Sequence, residues 1–416
     1  MEKSIQVIGG NSLGGEIAVP GAKNAILKEM AASLLTSGDY VLSNVPDIAD
    51  VHYMSEVLQH LGVDISFDKN KLVINIPEEL QTEAPYNLVQ KIRASIIILG
   101  PLLARQGEVK IAFPGGDNLG PRPVQMHIDA LEKMGASFKL EHGMLIGTAK
   151  QLHGVEVNLP YASVGATENT ILAAVLAKGK TVIENAAREP EITDLILMLR
   201  SMGADITGEG TSEIIITGVE SLNSVEHKVV GDRIVAGTYL LAASSCGGGI
   251  VVKGINPSFL DMELKKMSEM GMEINTEQEA ISLQSDGEPK SVDIATLPYP
   301  GVATDLQPMF SAALLKATGS SIITENVYDQ RFQWVPEVLR MGADVQIGWQ
   351  HAMIRGVGQL SGAPVVTPDI RTGASLLIAA LSAEGTSVID GITHIKRGYE
   401  DIVSSFVQLG AKLEYT

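Results

Sequence analysis

The sequence predicts an α/β protein of two similar domains, each made of three copies of one unit: strand, buried helix, strand, amphipathic helix, strand. Three observations predict it. One short phrase ending in a glycine recurs six times. Six apolar, helix-like segments lie between the recurrences. Strand-like runs follow each of those segments and precede several. Internal repetition of this kind sets the architecture before any single element is assigned.

The phrase reads LQHLGV (58–63), LEKMGA (131–136), LRSMGA (199–204), MSEMGM (267–272), VLRMGA (338–343) and FVQLGA (406–411). Its glycines are Gly62, Gly135, Gly203, Gly271, Gly342 and Gly410, separated by 73, 68, 68, 71 and 68 residues. The pattern is an amphipathic helix ended by a left-handed glycine, with a strand beyond it. Upstream in each unit lies a segment apolar nearly all round, hence an interior helix. The six are 24–38, 93–107, 167–179, 233–248, 305–319 and 371–385. A seventy-residue unit buries too little surface to stand alone, whereas three make a domain. The polar stretch ESLNSVEHK (220–228) divides the third unit from the fourth. The domains are therefore expected at 21–228 and at 229–416 with residues 1–20, a segment whose pattern alone allows pairing with either half.

A chain of 416 residues with 45% hydrophobic and 19% charged residues has ample core. Its net charge of −18 opposes nucleic acid or an anionic membrane as partner. An anionic substrate needs a local cluster of cations to overcome that field. The one cysteine, Cys246, allows no intrachain disulfide and reads as a small core residue. MEKSIQVIGG lacks the features of a signal peptide, and the apolar runs 94–104 and 234–243 are too short to span a bilayer. A cytoplasmic protein is expected.

The starts of the buried helices read GAKN (21–24), KIRAS (91–95), SVGAT (163–167), GDRI (231–234), ATDLQ (303–307) and DIRTG (369–373). Capping accounts for Asp232, Thr167 and Asp305 taken singly. It does not account for Lys23, Arg93, Arg233 or Arg371, which oppose the helix dipole by ~0.3–1 kcal/mol each. An anion bound there would offset that cost. The loops before the amphipathic helices add Asp117, Arg122, Arg188, Arg331, Lys396 and Arg397. Two domains facing each other across these ends would enclose a cleft ringed by cations. GKT (179–181) is not a phosphate loop, because Ala174 stands where glycine is required. No histidine spacing suggests a dedicated metal site, and His127 reads as a packing or polar-face residue.

The motifs GAKNAIL, PGGDxxGxRPV, SVGAT, ENAAREPEI, YPGxxTDLQ, RFxxVPE and RGYE, in that order over essentially the whole chain, resemble the UDP-N-acetylglucosamine 1-carboxyvinyltransferase family. The related shikimate-type enolpyruvyl transferases share the fold, but the GAKN and PGGD…RPV segments look like the UDP-sugar enzymes. The resemblance implies two inside-out α/β barrel domains of three repeats each, with residues 1–20 completing the second. It implies transfer of the enolpyruvyl group of phosphoenolpyruvate to the 3-hydroxyl of UDP-N-acetylglucosamine by addition and elimination, with release of phosphate. This reaction opens peptidoglycan synthesis and so serves cell-wall biogenesis, cell shape and division. No metal or organic cofactor is implied, nor any nucleic-acid or membrane partner.

Carried over by motif, Lys23, Asn24, Arg122, Arg331 and Arg397 hold phosphoenolpyruvate. By the same resemblance Asp305 would accept the proton of the attacking hydroxyl. Arg93, Arg122, Pro123, Val124, Gln125, Met126, Ser163, Val164, Gly165, Asp305 and Val327 would line the UDP-sugar site. Lys23, Asp117, Asp305 and Arg397 would form the catalytic set. The segment 111–123 reads as a mobile loop able to close over the site. Most of the family carries Cys where this chain has Asp117, although an aspartate-for-cysteine variant is known in it; Gln125 replaces a common Asp and Tyr161 a common Lys. A free aspartate has a pKa of about 3.9, so Asp117 as general acid needs desolvation and substrate phosphate to keep its proton. The missing thiol also implies resistance to fosfomycin, and it motivates an alternative: a catalytically silent paralogue that binds UDP-sugar and regulates.

Overall fold

The computed structural model describes residues 3–113 and 124–416. The chain starts with β1 (Ser4–Ile8) and β2 (Leu13–Ala18). The first repeat holds α1 (Lys23–Ala32), β3 (Gly38–Ser43), α2 (Ala49–His60), β4 (Asp64–Asp68) and β5 (Lys71–Ile76). The second holds β6 (Glu83–Ala84), α3 (Tyr86–Val89), α4 (Leu99–Gln106), β7 (Glu108–Ala112), α5 (Gln125–Lys133), β8 (Ser137–Glu141) and β9 (Met144–Thr148). The third holds β10 (Glu156–Asn158), α6 (Val164–Ala174), β11 (Lys180–Glu184), α7 (Pro190–Ser201), β12 (Asp205–Thr207) and β13 (Glu213–Thr217), and β14 (Glu226–Lys228) follows it.

The fourth repeat holds α8 (Arg233–Cys246), β15 (Gly248–Lys253), α9 (Asp261–Glu269), β16 (Glu273–Glu277) and β17 (Ala280–Ser285). The fifth holds β18 (Ile294–Ala295), α10 (Gln307–Leu314), β19 (Ser320–Thr324), α11 (Val335–Arg340), β20 (Asp344–Gly348) and β21 (His351–Arg355). The sixth holds β22 (Pro364–Val366), α12 (Ile370–Ser382), β23 (Thr386–Asp390), α13 (Ile392–Ile395), α14 (Ile402–Gln408) and β24 (Lys412–Tyr415).

Each repeat contributes one four-stranded sheet. The strand entering the buried helix lies parallel to the strand leaving it, as in β6–β7, β10–β11, β18–β19 and β22–β23. A parallel pair needs such a crossover. Beyond the amphipathic helix the chain folds back as an antiparallel hairpin, such as β12–β13 or β20–β21. All six glycines of the recurring phrase have positive φ, from 86° at Gly342 to 108° at Gly203. They reverse the chain from helix to hairpin, where a Cβ would be strained.

Three strands are borrowed along the chain. β14 pairs in parallel with β3 and completes the first sheet, and β2 does the same for β15 in the fourth. β1 lies antiparallel between β23 and β24, so the two ends of the chain share the sixth sheet. The molecule thus has two compact units: one from Gly21 to Val230, the other Gly231–Thr416 with the N-terminal residues through Pro20. Both junctions are glycines for want of space. A Cβ on Gly21 would lie 1.8 Å from the Asn44 carbonyl oxygen, and one on Gly231 2.0 Å from that of Gly254.

The helices apolar all round lie inside. α8, α10 and α12 pack on one another at the centre of one unit, and every residue of α12 is buried. α4 packs on α6 in the other unit, with α1 against the 3-10 turn that precedes α4. The sheets and amphipathic helices cover them, and each unit has its own aliphatic core.

Two of the expected helices are interrupted. Residues 93–107 form a 3-10 turn, Arg93–Ile98, before α4 begins, and residues 305–319 begin with a 3-10 turn, Thr304–Leu306, before α10. Pro101 and Pro308 stand in the first turns that follow, where their missing N–H groups cost nothing.

Candidate active site

In the unit from Gly21 to Val230, Lys23 opens α1 with 8% of its surface exposed. Its Nζ lies 2.7 Å from Oδ2 of buried Asp50 on α2. The carboxylate offsets the cost of holding a cation at a helix N-terminus. The Asn24 carbonyl accepts a hydrogen bond from Lys28 Nζ at 2.6 Å.

A single buried amide ties together the other expected site segments of this unit. Asn169 on α6 donates to the Ile96 carbonyl (3.0 Å) and to His127 Nδ1 (2.9 Å), and accepts from the Gly100 N–H (2.7 Å). The 3-10 turn that begins with Arg93, helix α4, helix α5 and helix α6 therefore share one side chain. Gln125 and Met126 open α5 directly after buried Val124, and Val164 and Gly165 open α6. Gly165 has no room for a side chain, because a Cβ there would lie 2.9 Å from His127 Cε1. His127 is buried and, as the acceptor at Nδ1, neutral. Burial first and the nearby Arg93 charge second push its pKa down to about 4. Gln125 faces solvent and donates to Asp129 Oδ1 at 2.6 Å.

Capping here departs from expectation. Ser163 is the N-cap of α6 and accepts from the Ala166 N–H at 3.4 Å. Thr167 lies inside the helix, and its hydroxyl accepts from the Ala187 N–H at 3.0 Å instead. The helix begins three residues earlier than its apolar run suggests, so the cap is the serine.

In the other unit Asp305 is likewise no cap. It sits in the 3-10 turn before α10, with one carboxylate oxygen on Arg331 and the other 2.9 Å from Arg371 Nη2. Both arginine side chains are almost wholly buried, while the carboxylate is about a quarter exposed. Arg331 Nε also donates to the Thr304 carbonyl at 3.1 Å. Val327 is fixed by Glu325, whose carboxylate accepts from the N–H groups of Val327 (2.8 Å) and Tyr328 (3.1 Å) and from the Thr296 and Thr304 hydroxyls. Burial raises the pKa of Glu325, which these hydrogen bonds oppose. Asp232 and Asp369 cap α8 and α12, each accepting two backbone N–H bonds. Arg397 lies half-buried in the turn after α13, and its N–H donates to the His394 carbonyl at 3.2 Å.

The structure thus joins Asp305, Arg331 and, through Glu325 and Thr304, Val327 in one cluster. In the other unit it joins Arg93, Val124 to Met126 and Ser163 to Gly165 around Asn169. Asp117, Arg122 and Pro123 lie outside the described residues. The organising groups Asp50, Asn169 and Glu325 had no motif of their own, whereas Asp369 opens the DIRTG helix start. For Asn169 the available signal was a run of polar residues, Thr167 to Thr170, inside a helix expected to be interior.

Helices inside, sheets outside and six repeats in two units define the inside-out α/β barrel class, the enolpyruvyl transferase fold. Residues 7–406 match the family model described as EPSP synthase (3-phosphoshikimate 1-carboxyvinyltransferase). The chain is 47% identical over 414 residues to the UDP-N-acetylglucosamine 1-carboxyvinyltransferase of Corynebacterium jeikeium, covering 100% of this chain and 99% of that protein. The proteins of that name from Mycobacterium tuberculosis and Thermotoga petrophila are each 45% identical, over 100% and 98% of this chain and 99% and 98% of their own length. Among solved structures, the enolpyruvyl transferase NikO from Streptomyces tendae superposes with a TM-score of 0.90 at 24% identity, covering 100% of this chain and 99% of its own. EPSP synthase from Acinetobacter baumannii gives 0.77 at 20%, with 100% of both chains covered. The chain belongs to the enolpyruvyl transferase family.

Proposed function

We propose that this protein transfers the enolpyruvyl group of phosphoenolpyruvate to the 3-hydroxyl of UDP-N-acetylglucosamine, the first committed step of peptidoglycan synthesis. The observation that carries the reading is identity of 45–47% along the full chain to proteins named for that reaction. Among the described residues no helix is long and apolar enough to cross a membrane.

Roles follow from chemistry. Asp305, held by two guanidinium groups, is favoured as a carboxylate, the form that takes the proton of the attacking hydroxyl. The hydroxyl oxygen then bonds to C2 of phosphoenolpyruvate, and Asp117 gives a proton to the C3 methylene. Loss of a C3 proton and of phosphate from the tetrahedral adduct restores the double bond. Lys23, Arg122, Arg331 and Arg397, with Asn24, neutralise the phosphate and carboxylate, a task suited to bidentate arginine. Arg93, Arg122, Pro123, Val124, Gln125, Met126, Ser163, Val164, Gly165 and Val327 receive the UDP-sugar. The proposed roles fall to residues of both domains, 21–228 and 229–416 with 1–20.

The test is phosphate release from phosphoenolpyruvate with and without UDP-N-acetylglucosamine, with the product identified by mass. Release that requires the UDP-sugar is expected. Binding of the UDP-sugar without turnover at any pH would favour the silent regulatory paralogue. Release that requires shikimate 3-phosphate instead would reassign the substrate.

A further inference from the structure

We propose that Glu29, Asp194 and His227 form a divalent-cation site of the Zn²⁺ class inside the Gly21–Val230 unit. It is the one group of three or more such side chains among the described residues whose ligand atoms all lie within 4.8 Å of one another. His227 Nε2 stands 3.1 Å from Asp194 Oδ1 and 3.5 Å from Glu29 Oε1. A tetrahedral ion with bonds of roughly 2.0–2.1 Å sets its donor atoms about 3.3 Å apart, so the spacing matches. One imidazole and two carboxylates, without sulfur, suit zinc or cobalt.

A second observation points to a ligand. Glu29 is fully buried in α1, and neither of its carboxylate oxygens has a hydrogen-bond partner. Such a group is costly unless something is bound to it. Asp194 is oriented from behind, because its Oδ2 accepts the Val230 N–H at 2.8 Å and leaves Oδ1 turned to the site. Metal ligands characteristically have such outer partners. Charges on neighbouring elements are engaged elsewhere: Lys28 lies 3.6 Å from Glu168, and Lys23 pairs with Asp50.

Two carboxylates, a neutral imidazole and Zn²⁺ sum to zero charge, so the ion would neutralise the buried acidic groups. The ligands come from α1, α7 and β14, positions 29, 194 and 227, which is why no sequence spacing revealed them. An ion would tie the helix that begins with Lys23 to the strand just before the junction at Val230.

The experiment is metal titration of the full-length protein, stripped with chelator and then given Zn²⁺. Calorimetry gives the stoichiometry, and one zinc per chain is expected at pH 7. Glu29→Gln should lose the zinc, and Co²⁺ should give a tetrahedral visible spectrum in the wild type only. No bound zinc, a Co²⁺ spectrum that is not tetrahedral, or zinc retained in Glu29→Gln overturns the site. Should Glu29→Gln fail to fold, the wild-type stoichiometry and Co²⁺ spectrum decide.

Discussion

Arg371 Nη2 stands 2.9 Å from Oδ2 of Asp305, and Arg331 holds the other oxygen of the same carboxylate. Two buried cations thus aim one partly exposed anion. If Asp305 is the group that accepts the sugar hydroxyl proton, Asp305→Asn removes the basic oxygen and leaves the arginines in place. Turnover should fall by roughly 10²–10⁴-fold. Affinity for UDP-N-acetylglucosamine, measured by calorimetry, should change little by comparison. Near-normal turnover in this variant would remove Asp305 from the mechanism.

The repeats were legible because a glycine at positive φ and an apolar interior helix leave strong local signatures. Gly62 through Gly410 mark their turns whatever surrounds them. The borrowed strands were not legible. β14 spans three residues, and its place beside β3 is a fact of tertiary pairing. The same division holds at the site. Lys23, Arg331 and Asp305 sit in motifs, whereas Asp50 and Arg371 become their partners only when distant elements meet. Thr167 and Asp305 were misread as caps because a helix start inferred from apolar residues can miss by a turn.

At position 117 the chemistry of the residue itself gives a prediction. Epoxides of the fosfomycin type act in this family by alkylating a thiol, and a carboxylate is a poorer nucleophile. The wild type should keep its activity under fosfomycin, and Asp117→Cys should be inactivated with a covalent adduct on the new cysteine. A stable adduct on Asp117 in mass spectrometry would contradict this. The wild-type rate should also fall as pH rises, and at lower pH than in Asp117→Cys, since an acid must hold its proton to donate it. Superimposable pH profiles would count against Asp117 as the acid.

Two fully buried carboxyls should make the stability of the Gly21–Val230 unit depend on pH. Burial raises Glu29 from 4.5 to about 8 and Glu168 from 4.5 to about 7. Each prefers its proton in the folded state. The stability each contributes is complete below about pH 4.5 and is lost as pH rises through the folded value. His227, raised from 6.5 to about 10, likewise loses its contribution only above pH 6.5. In chelator, stability should therefore decline from pH 5 to 8, by up to about 1.4 kcal/mol per pH unit per ionising carboxyl. Glu168→Gln should flatten the decline below pH 7. Denaturant titrations at several pH values measure it, and parallel curves for wild type and variant would show that Glu168 is ionised throughout.

Asn169 offers the sharpest test of how the UDP-sugar side is built. Its amide satisfies the Ile96 carbonyl, the Gly100 N–H and His127 at once. Asn169→Ala leaves those buried groups unmatched, at about 1–3 kcal/mol each, so destabilisation of about 3 kcal/mol and a clear drop in melting temperature are expected. The 3-10 turn of Arg93 and the starts of α5 and α6 lose their common anchor. The KM for UDP-N-acetylglucosamine should consequently rise more than that for phosphoenolpyruvate, because Lys23, Arg331 and Arg397 sit on other elements. Asn169→Asp separates the two effects. Its carboxylate still accepts from Gly100 but presents no N–H to Ile96 or His127, so the Nδ1 acceptor of His127 must gain a proton, and the His127 pKa should climb from about 4. Histidine NMR titration reads that change directly. An unmoved His127 resonance, together with equal effects on both KM values, would mean that Asn169 supports the core without positioning the site.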